Sequence, residues 1–197
     1  MHSLVRRSLA HGAAAAAAVV VAAAAAAAQA PVNPFSLGVS GGAVVPTGDF
    51  GDGFETGYGI NGIVGLRLPA VPVAFRGEVG YSRNNAKISD DLRIRMISGV
   101  ANAVLNLAAG PTTTIRPYLI GGVGVYNAKF DVEGVSDDEV EEVLGENTSE
   151  TKLGLNGGAG IELPLSGISV FGEVRFTSVF TEGQNLNFVP ITVGIRF

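Results

Sequence analysis

The sequence has no cysteine, and its two histidines, His2 and His11, both lie within the first eleven residues. Without cysteine the fold contains no disulfide bond and no thiolate metal site. If the N-terminal segment is removed, the remaining chain has no histidine, which is the usual base of the triads and dyads of hydrolases. We therefore expect neither enzymatic activity nor a cofactor, and zinc sites built on histidine or cysteine are excluded.

The first 28 residues have the pattern of a secretory signal peptide. Arg6 and Arg7 give it a positive start, residues 13–28 are an unbroken run of alanine and valine, and small residues precede Gln29. The run is short for a membrane span. The sequence predicts a cleaved signal peptide at 1–28, a short N-terminal segment at 29–34 and one domain at 35–197.

Positive charge is scarce in the predicted mature chain. The whole sequence has 13 basic and 18 acidic residues. Removal of Arg6 and Arg7 leaves 11 basic residues against the same 18 acids, a net charge of −7. This balance argues against nucleic acid as a partner, because nucleic-acid binding depends on neutralising phosphates with lysine and arginine.

No stretch after Pro31 has the length and apolarity of a membrane helix. Instead, eight short stretches alternate between apolar residues and polar or small ones, which is the period of a β-strand with one apolar face. The last stretch is the clearest: its apolar positions are Val189, Ile191, Val193, Ile195 and Phe197. The connections alternate between long and short, at residues 47–56, 69–72, 83–92, 108–114, 127–150, 164–167 and 181–186.

An even number of strands with long connections at one end and short ones at the other predicts an all-β fold. We expect a closed antiparallel up-and-down eight-stranded transmembrane β-barrel with short periplasmic turns and long extracellular loops. In lipid every backbone polar group needs a partner, so a sheet must close, with its apolar face outward. Eight charged residues are then barrel-interior charges: Arg67, Arg76, Glu78, Lys152, Glu162, Glu173, Arg175 and Arg196.

The same alternation fits the opposite facing. In a soluble, lipocalin-like periplasmic barrel the apolar residues would point inward around a ligand and the charged residues would meet water. The loop asymmetry, the small residues on the polar face and the terminal Phe197 favour the lipid-facing barrel.

Four segments resemble the eight-stranded outer-membrane barrels of the OmpA/OmpX type, a porin-like family. They are RPYLIGGVGVY at 116–126, NGGAGIEL at 156–163, FGEVRF at 171–176 and VPITVGIRF at 189–197. The resemblance implies an outer-membrane location, with outer-membrane lipid and lipopolysaccharide around the barrel. It also implies that Val193, Ile195 and Phe197 form the assembly signal read by the barrel-assembly machinery.

One connection is strongly acidic and contains no lysine or arginine between its first and last acid. It holds nine of the eighteen acids: Asp131, Glu133, Asp137, Asp138, Glu139, Glu141, Glu142, Glu146 and Glu150. A solvated acidic loop is the simplest interpretation. Because clustered carboxylates suit hard cations, a site for a divalent cation or a cationic partner is the sharper hypothesis.

The predicted function is a non-enzymatic outer-membrane barrel with a structural or cell-surface interaction role. Its extracellular loops, above all residues 131–150, are the expected contact surface. Paired inward charges, such as Arg76 with Glu78 and Glu173 with Arg175, favour structural ion pairs over acid–base chemistry. The alternatives are a small solute channel or the soluble ligand-binding barrel.

Overall fold

The computed structural model describes residues 34–68, 73–107, 115–132, 149–183 and 185–197. Eight strands form one closed barrel in sequence order, and every neighbouring pair is antiparallel. The strands are β1 (Phe35–Thr47), β2 (Gly57–Arg67), β3 (Val73–Ala86), β4 (Ser89–Asn106), β5 (Arg116–Val132), β6 (Ser149–Pro164), β7 (Ser169–Val179) and β8 (Leu186–Arg196). A short helix, α1 (Asp49–Gly53), lies between β1 and β2.

The barrel closes between its first and last strands. β1 pairs with β2 on one side and with β8 on the other, where Val39 faces Ile195 and Val45 faces Val189. The backbone groups of Leu37 and Phe197 exchange two hydrogen bonds, of 2.9 and 2.8 Å. The sheet therefore has no unpaired edge, and this confirms the predicted fold class.

The two ends of the barrel are named by their connections. The turn end holds the start of β1, the end of β8 and the β2–β3, β4–β5 and β6–β7 connections; the loop end holds the other four connections. The predicted signal peptide, residues 1–28, lies outside the described residues. Within the described ranges no helix is long and apolar enough to cross a membrane.

Side chains alternate between the two faces of the sheet along each strand, and the outward ones are mostly apolar. Val79, Val193 and Leu153 are 70%, 63% and 66% exposed on the outer face. In contrast, Glu78 and Thr192, each one position away from an outward valine, are buried. The outer surface is thus an apolar band and the centre of the interior is charged, the reverse of what a soluble ligand-binding barrel needs.

The prediction of a long third connection at 83–92 was wrong. β3 and β4 continue through most of this segment, and only Lys87 and Ile88 lie between them. Asn84 and Asn85 gave the segment the polarity of a loop, but the Asn84 side chain is buried and donates to the carbonyl oxygens of Val44 and Glu55, at 3.0 and 2.8 Å. A polar residue with buried hydrogen-bond acceptors does not interrupt a strand.

The acidic connection is also shorter than predicted. Asp131 lies in β5 opposite Arg93 of β4, and Glu150 lies in β6 opposite Ala128, so neither residue belongs to a loop. β5 and β6 continue as strands into the acidic segment, and they remain paired with their neighbours there. The other seven predicted loop acids, at 133–146, lie outside the described residues.

The first connection is folded over the loop end. The sequence predicted a plain loop at 47–56, whereas the structure forms α1 there, preceded by Gly48 with a φ of 60°. Backbone hydrogen bonds from Glu55 to Asn85 and from Lys87 to Gly53 join this segment to the β3–β4 hairpin. The hairpin and α1 therefore form one connected surface at the loop end.

Candidate functional site

Two strands on opposite sides of the barrel supply a ring of four charges at its centre. Arg76 and Glu78 lie on β3, and Glu173 and Arg175 lie on β7, four strands away in a barrel of eight. Across the interior, Arg76 Nη1 is 2.7 Å from Glu173 Oε2 and Arg175 Nη2 is 2.8 Å from Glu78 Oε2. We call these four residues the charge ring.

The charge ring is also closed along each strand. Arg76 lies 3.4 Å from Glu78, and Arg175 Nε lies 2.8 Å from Glu173 Oε1. Residues two apart share a face of a strand, so each wall contributes one positive and one negative group. The ring is neutral as a whole, and its side chains are at most 8% exposed. Buried charges are tolerated when they are paired in this way.

Two aromatic residues pack around the ring. The Tyr118 hydroxyl donates to Glu173 Oε2 at 2.7 Å, and this side chain is almost fully buried. The Arg76 guanidinium lies 5.5 Å from the centroid of the Tyr118 ring and 5.3 Å from that of Phe171. Cation–π contacts of this kind stabilise a desolvated guanidinium. Sequence reasoning had not assigned a role to Tyr118, although its parity in β5 placed it on the inner face.

An apolar cluster closes the interior at the loop end. Phe50 of α1 is 5% exposed and packs edge-on against Phe188 of β8, with 6.4 Å between ring centroids. Tyr126 packs against the same Phe188 at 6.3 Å. We call this group the loop-end cluster; its buried members are Val44, Phe50, Ile94, Met96, Tyr126, Val179 and Phe188.

A second group of charges lies inside the turn end. Arg196 of β8 forms an ion pair with the buried Glu162 of β6. Arg116 of β5 pairs in register with Glu162, and Arg67 lies at the end of β2, exposed at the barrel mouth. Arg116 is an inward charge that the sequence reasoning missed; its parity with Tyr118 would have identified it.

The remaining predicted residues lie at the rims or outside. Lys152 forms an ion pair with the exposed Glu182 at 3.3 Å near the loop end. Val193 and Ile195 of the predicted assembly signal are exposed on the outer face, and Phe197 is half-buried. The structure therefore brings six of the eight predicted inward charges into two interior groups, leaves Lys152 apart from both and places Arg67 at the mouth.

The interior has the chemistry of a neutralised core. The described residues include no histidine or cysteine, and no group of three or more potential metal ligands occurs among them. Each carboxylate of the charge ring contacts a guanidinium. Both carboxylates are therefore engaged in structural ion pairs.

Comparison with known proteins places this architecture in a family. The model for the outer membrane protein beta-barrel domain matches residues 13–197. The chain belongs to this family. Its fold is similar to Neisserial surface protein A, at 15% identity, with 83% of this chain and 96% of that chain covered and a TM-score of 0.62. It is also similar to a major outer membrane protein of Thermus thermophilus, at 12% identity, with coverage of 84% and 99% and a TM-score of 0.53.

No curated protein matches the chain. Membership of the outer-membrane barrel family nevertheless decides what the apolar band contacts. The protein is an outer-membrane protein: its outer face meets lipid, the turn end faces the periplasm and the loop end faces the cell exterior. The alternative of a soluble, lipocalin-like barrel was wrong.

Proposed function

We propose that this outer-membrane barrel conducts no solutes and catalyses no reaction, and that it acts through its structure and its cell-surface contacts. The observation that carries the proposal is the charge ring. Four buried side chains meet across the whole width of the interior, from β3 to β7, at distances of 2.7 to 3.4 Å. An eight-stranded barrel is narrow enough for its side chains to fill it.

The loop-end cluster adds a second seal. Between it and the charge ring lies a cavity of about 50 Å³, lined by residues of both layers, including Glu78, Arg175, Tyr126 and Phe188. This volume holds only a few water molecules. A solute would have to displace Phe50 and also separate the ion pairs of the ring, and separating buried ion pairs is costly.

The loop end supports a surface role. β3, β4 and β5 have 14, 18 and 17 residues, compared with 11 in β2 and β7. The strands pair with their neighbours up to their turn ends, so the additional residues lie at the opposite end. There they extend the sheet beyond the barrel on the exterior side. The acidic segment follows β5, one of these long strands, and clustered carboxylates suit a divalent cation or a cationic partner.

Conductance in planar lipid bilayers tests the sealed interior. The refolded protein is expected to insert without reproducible conductance steps. A variant with Arg76, Glu78, Glu173 and Arg175 changed to serine and Phe50→Ala is the positive control, and it is expected to conduct. Reproducible steps in the unaltered protein, changed in size by R76S together with E173S, would establish the solute channel instead and overturn the proposal.

Calorimetry tests the acidic segment. CaCl₂ is titrated into the folded protein in detergent micelles, beside a variant with Glu139→Gln, Glu141→Gln and Glu142→Gln. We expect heat of binding that is reduced in the variant. The absence of heat at millimolar Ca²⁺ would remove the cation site and leave a solvated acidic loop.

A further inference from the structure

The turn end contains a cavity that neither the seal nor the surface role uses. It has a volume of about 300 Å³ and lies between Arg76 of the charge ring and the turn-end residues Pro34, Gly167 and Phe197. Cavities of this size are at the lower limit of small-ligand sites. It is reached from the periplasmic side and separated from the loop end by the ring.

The charges that line this cavity do not balance. Arg67, Arg116 and Arg196 come from three different strands, while Glu162 is the single carboxylate side chain among the lining residues. Glu162 is engaged by Arg196, and Arg76 is engaged by the charge ring. Within the described part of the chain neither Arg67 nor Arg116 forms a close ion pair, although Arg67 also attracts Glu162 electrostatically. Three guanidinium groups therefore share the cavity with one carboxylate side chain, and the lining carries an excess of positive charge.

Guanidinium groups select a particular kind of ligand. Their planar fork of N–H donors matches the oxygens of a carboxylate or a phosphate and can bind either in a bidentate manner. The remaining wall includes apolar side chains, among them Ala74, Val104, Leu165 and Ile168. A ligand with an apolar body and one oxyanion group fits this combination better than a bare inorganic ion.

We propose that the turn-end cavity binds a small organic oxyanion from the periplasm through Arg67 and Arg116. Glu162 pairs with Arg196 and lies directly opposite Arg116 in the β5–β6 ladder. Glu162 therefore competes with the ligand for the arginines. The two kinds of residue should have opposite effects on affinity, and a charge removed far from the cavity should have none, which separates this site from a general attraction of anions.

The test uses the full refolded protein in maltoside micelles, a detergent that brings no phosphate, at low salt to limit screening. Binding is measured by ligand-observed NMR for phenyl phosphate, for N-acetylphenylalanine and for the uncharged N-acetylphenylalaninamide. We expect both anions to bind and the amide not to bind. The tighter of the two anions identifies the source as a phosphate ester or as a carboxylate such as a peptide end.

Three variants make the test specific. Arg67→Gln combined with Arg116→Gln is expected to weaken anion binding by about tenfold or more, the loss of roughly one charge-assisted contact. Glu162→Gln is expected to tighten it. Arg83→Gln, on the outer face at the other end of the barrel, is the matched control and should leave affinity unchanged. Heat-modified gel mobility checks that each variant is folded.

Several results would overturn the proposal. Equal binding of the amide would show an apolar cavity without charge selection. Failure of both anions to saturate the protein at about 10 mM, the range of negligible affinity, would show that there is no site. Unchanged affinity in the doubly substituted variant, or weaker binding in Glu162→Gln, would show that the arginines are not the ligand groups.

Discussion

Arg76 of β3 and Glu173 of β7 are joined across the interior of the barrel, with 2.7 Å between Nη1 and Oε2. Their strands are not neighbours in the sheet, so no backbone hydrogen bond links them. The side chains are 2% and 1% exposed. The pair therefore connects opposite walls directly, and the shape of the barrel cross-section depends on it.

Glu173→Gln should destabilise the barrel strongly, because it removes the 2.7 Å partner of the buried Arg76 guanidinium and leaves only the longer 3.4 Å contact with Glu78. Breaking a buried ion pair costs about 3–5 kcal/mol. Urea unfolding in lipid vesicles, followed by circular dichroism, measures the loss. Glu182→Gln is the control: its partner side chain is Lys152 and its own is 93% exposed, so about 0–1 kcal/mol is expected. Equal losses in the two variants would contradict a structural ring.

The apolar band makes the outer face sensitive to charge. Val79→Arg places a guanidinium in the middle of β3 on the lipid side, where arginine costs about 2–4 kcal/mol. Ile88→Arg adds the same group at the tip of the β3–β4 hairpin, where Ile88 is 85% exposed, and should have little effect. Unfolding in vesicles compares the two. A similar stability in both would mean that Val79 does not face hydrocarbon.

Two glycines of the inner and outer faces differ in the space around them. A Cβ on Gly42 would collide with the backbone oxygen of Ile191, whereas one on Gly62 would meet nothing within 4 Å. Gly42→Ala should therefore cost about 1–3 kcal/mol, the usual penalty of overpacking. Gly62→Ala should be close to neutral. Urea midpoints of the two variants give the comparison, and a larger loss at Gly62 would refute the close approach of β1 and β8.

Phe197→Ala separates assembly from stability. The backbone of Phe197 keeps its two hydrogen bonds to Leu37 in this variant, so refolding of the purified protein should be little affected. If the terminal aromatic belongs to an assembly signal, less heat-modifiable protein should reach the outer membrane of expressing cells. Equal amounts of the variant and the unaltered protein in the outer membrane would show that Phe197 is not recognised as an assembly signal. Val45→Ala, on the paired strand, controls for a loss of apolar side chain.

The facing of the strands could be predicted because it depends on one local rule. Arg76 with Glu78 and Glu173 with Arg175 lie two positions apart, so each pair must share a face. Their partners across the barrel could not be predicted, because that contact depends on the register of every strand pair between β3 and β7. The sequence therefore predicts the ring only as two separate pairs of charges, one on each strand.

Strand ends were harder to predict than strand faces. Polar residues such as Asn84 and Asp131 are typical of loops, and here they lie in strands that rise beyond the barrel rim. Arg116 was also missed at a strand end: it is the first residue of β5, where its parity with Tyr118 is the sequence signal that places it inward. Phe50 gave no sequence signal at all, since its burial depends on α1 folding back over the loop end.

The closure between β1 and β8 also determines the order in which the strands can pair during folding. Gly38 pairs with Arg196, so the second edge of β1 can form its backbone hydrogen bonds only after β8 is in place. Contacts this distant in sequence form slowly, because most of the chain must be arranged first. Until β8 pairs, the free edge of β1 exposes backbone groups that hydrocarbon cannot solvate. Strand-by-strand insertion into the bilayer is therefore unfavourable, because one edge of β1 stays unpaired until β8 is in place.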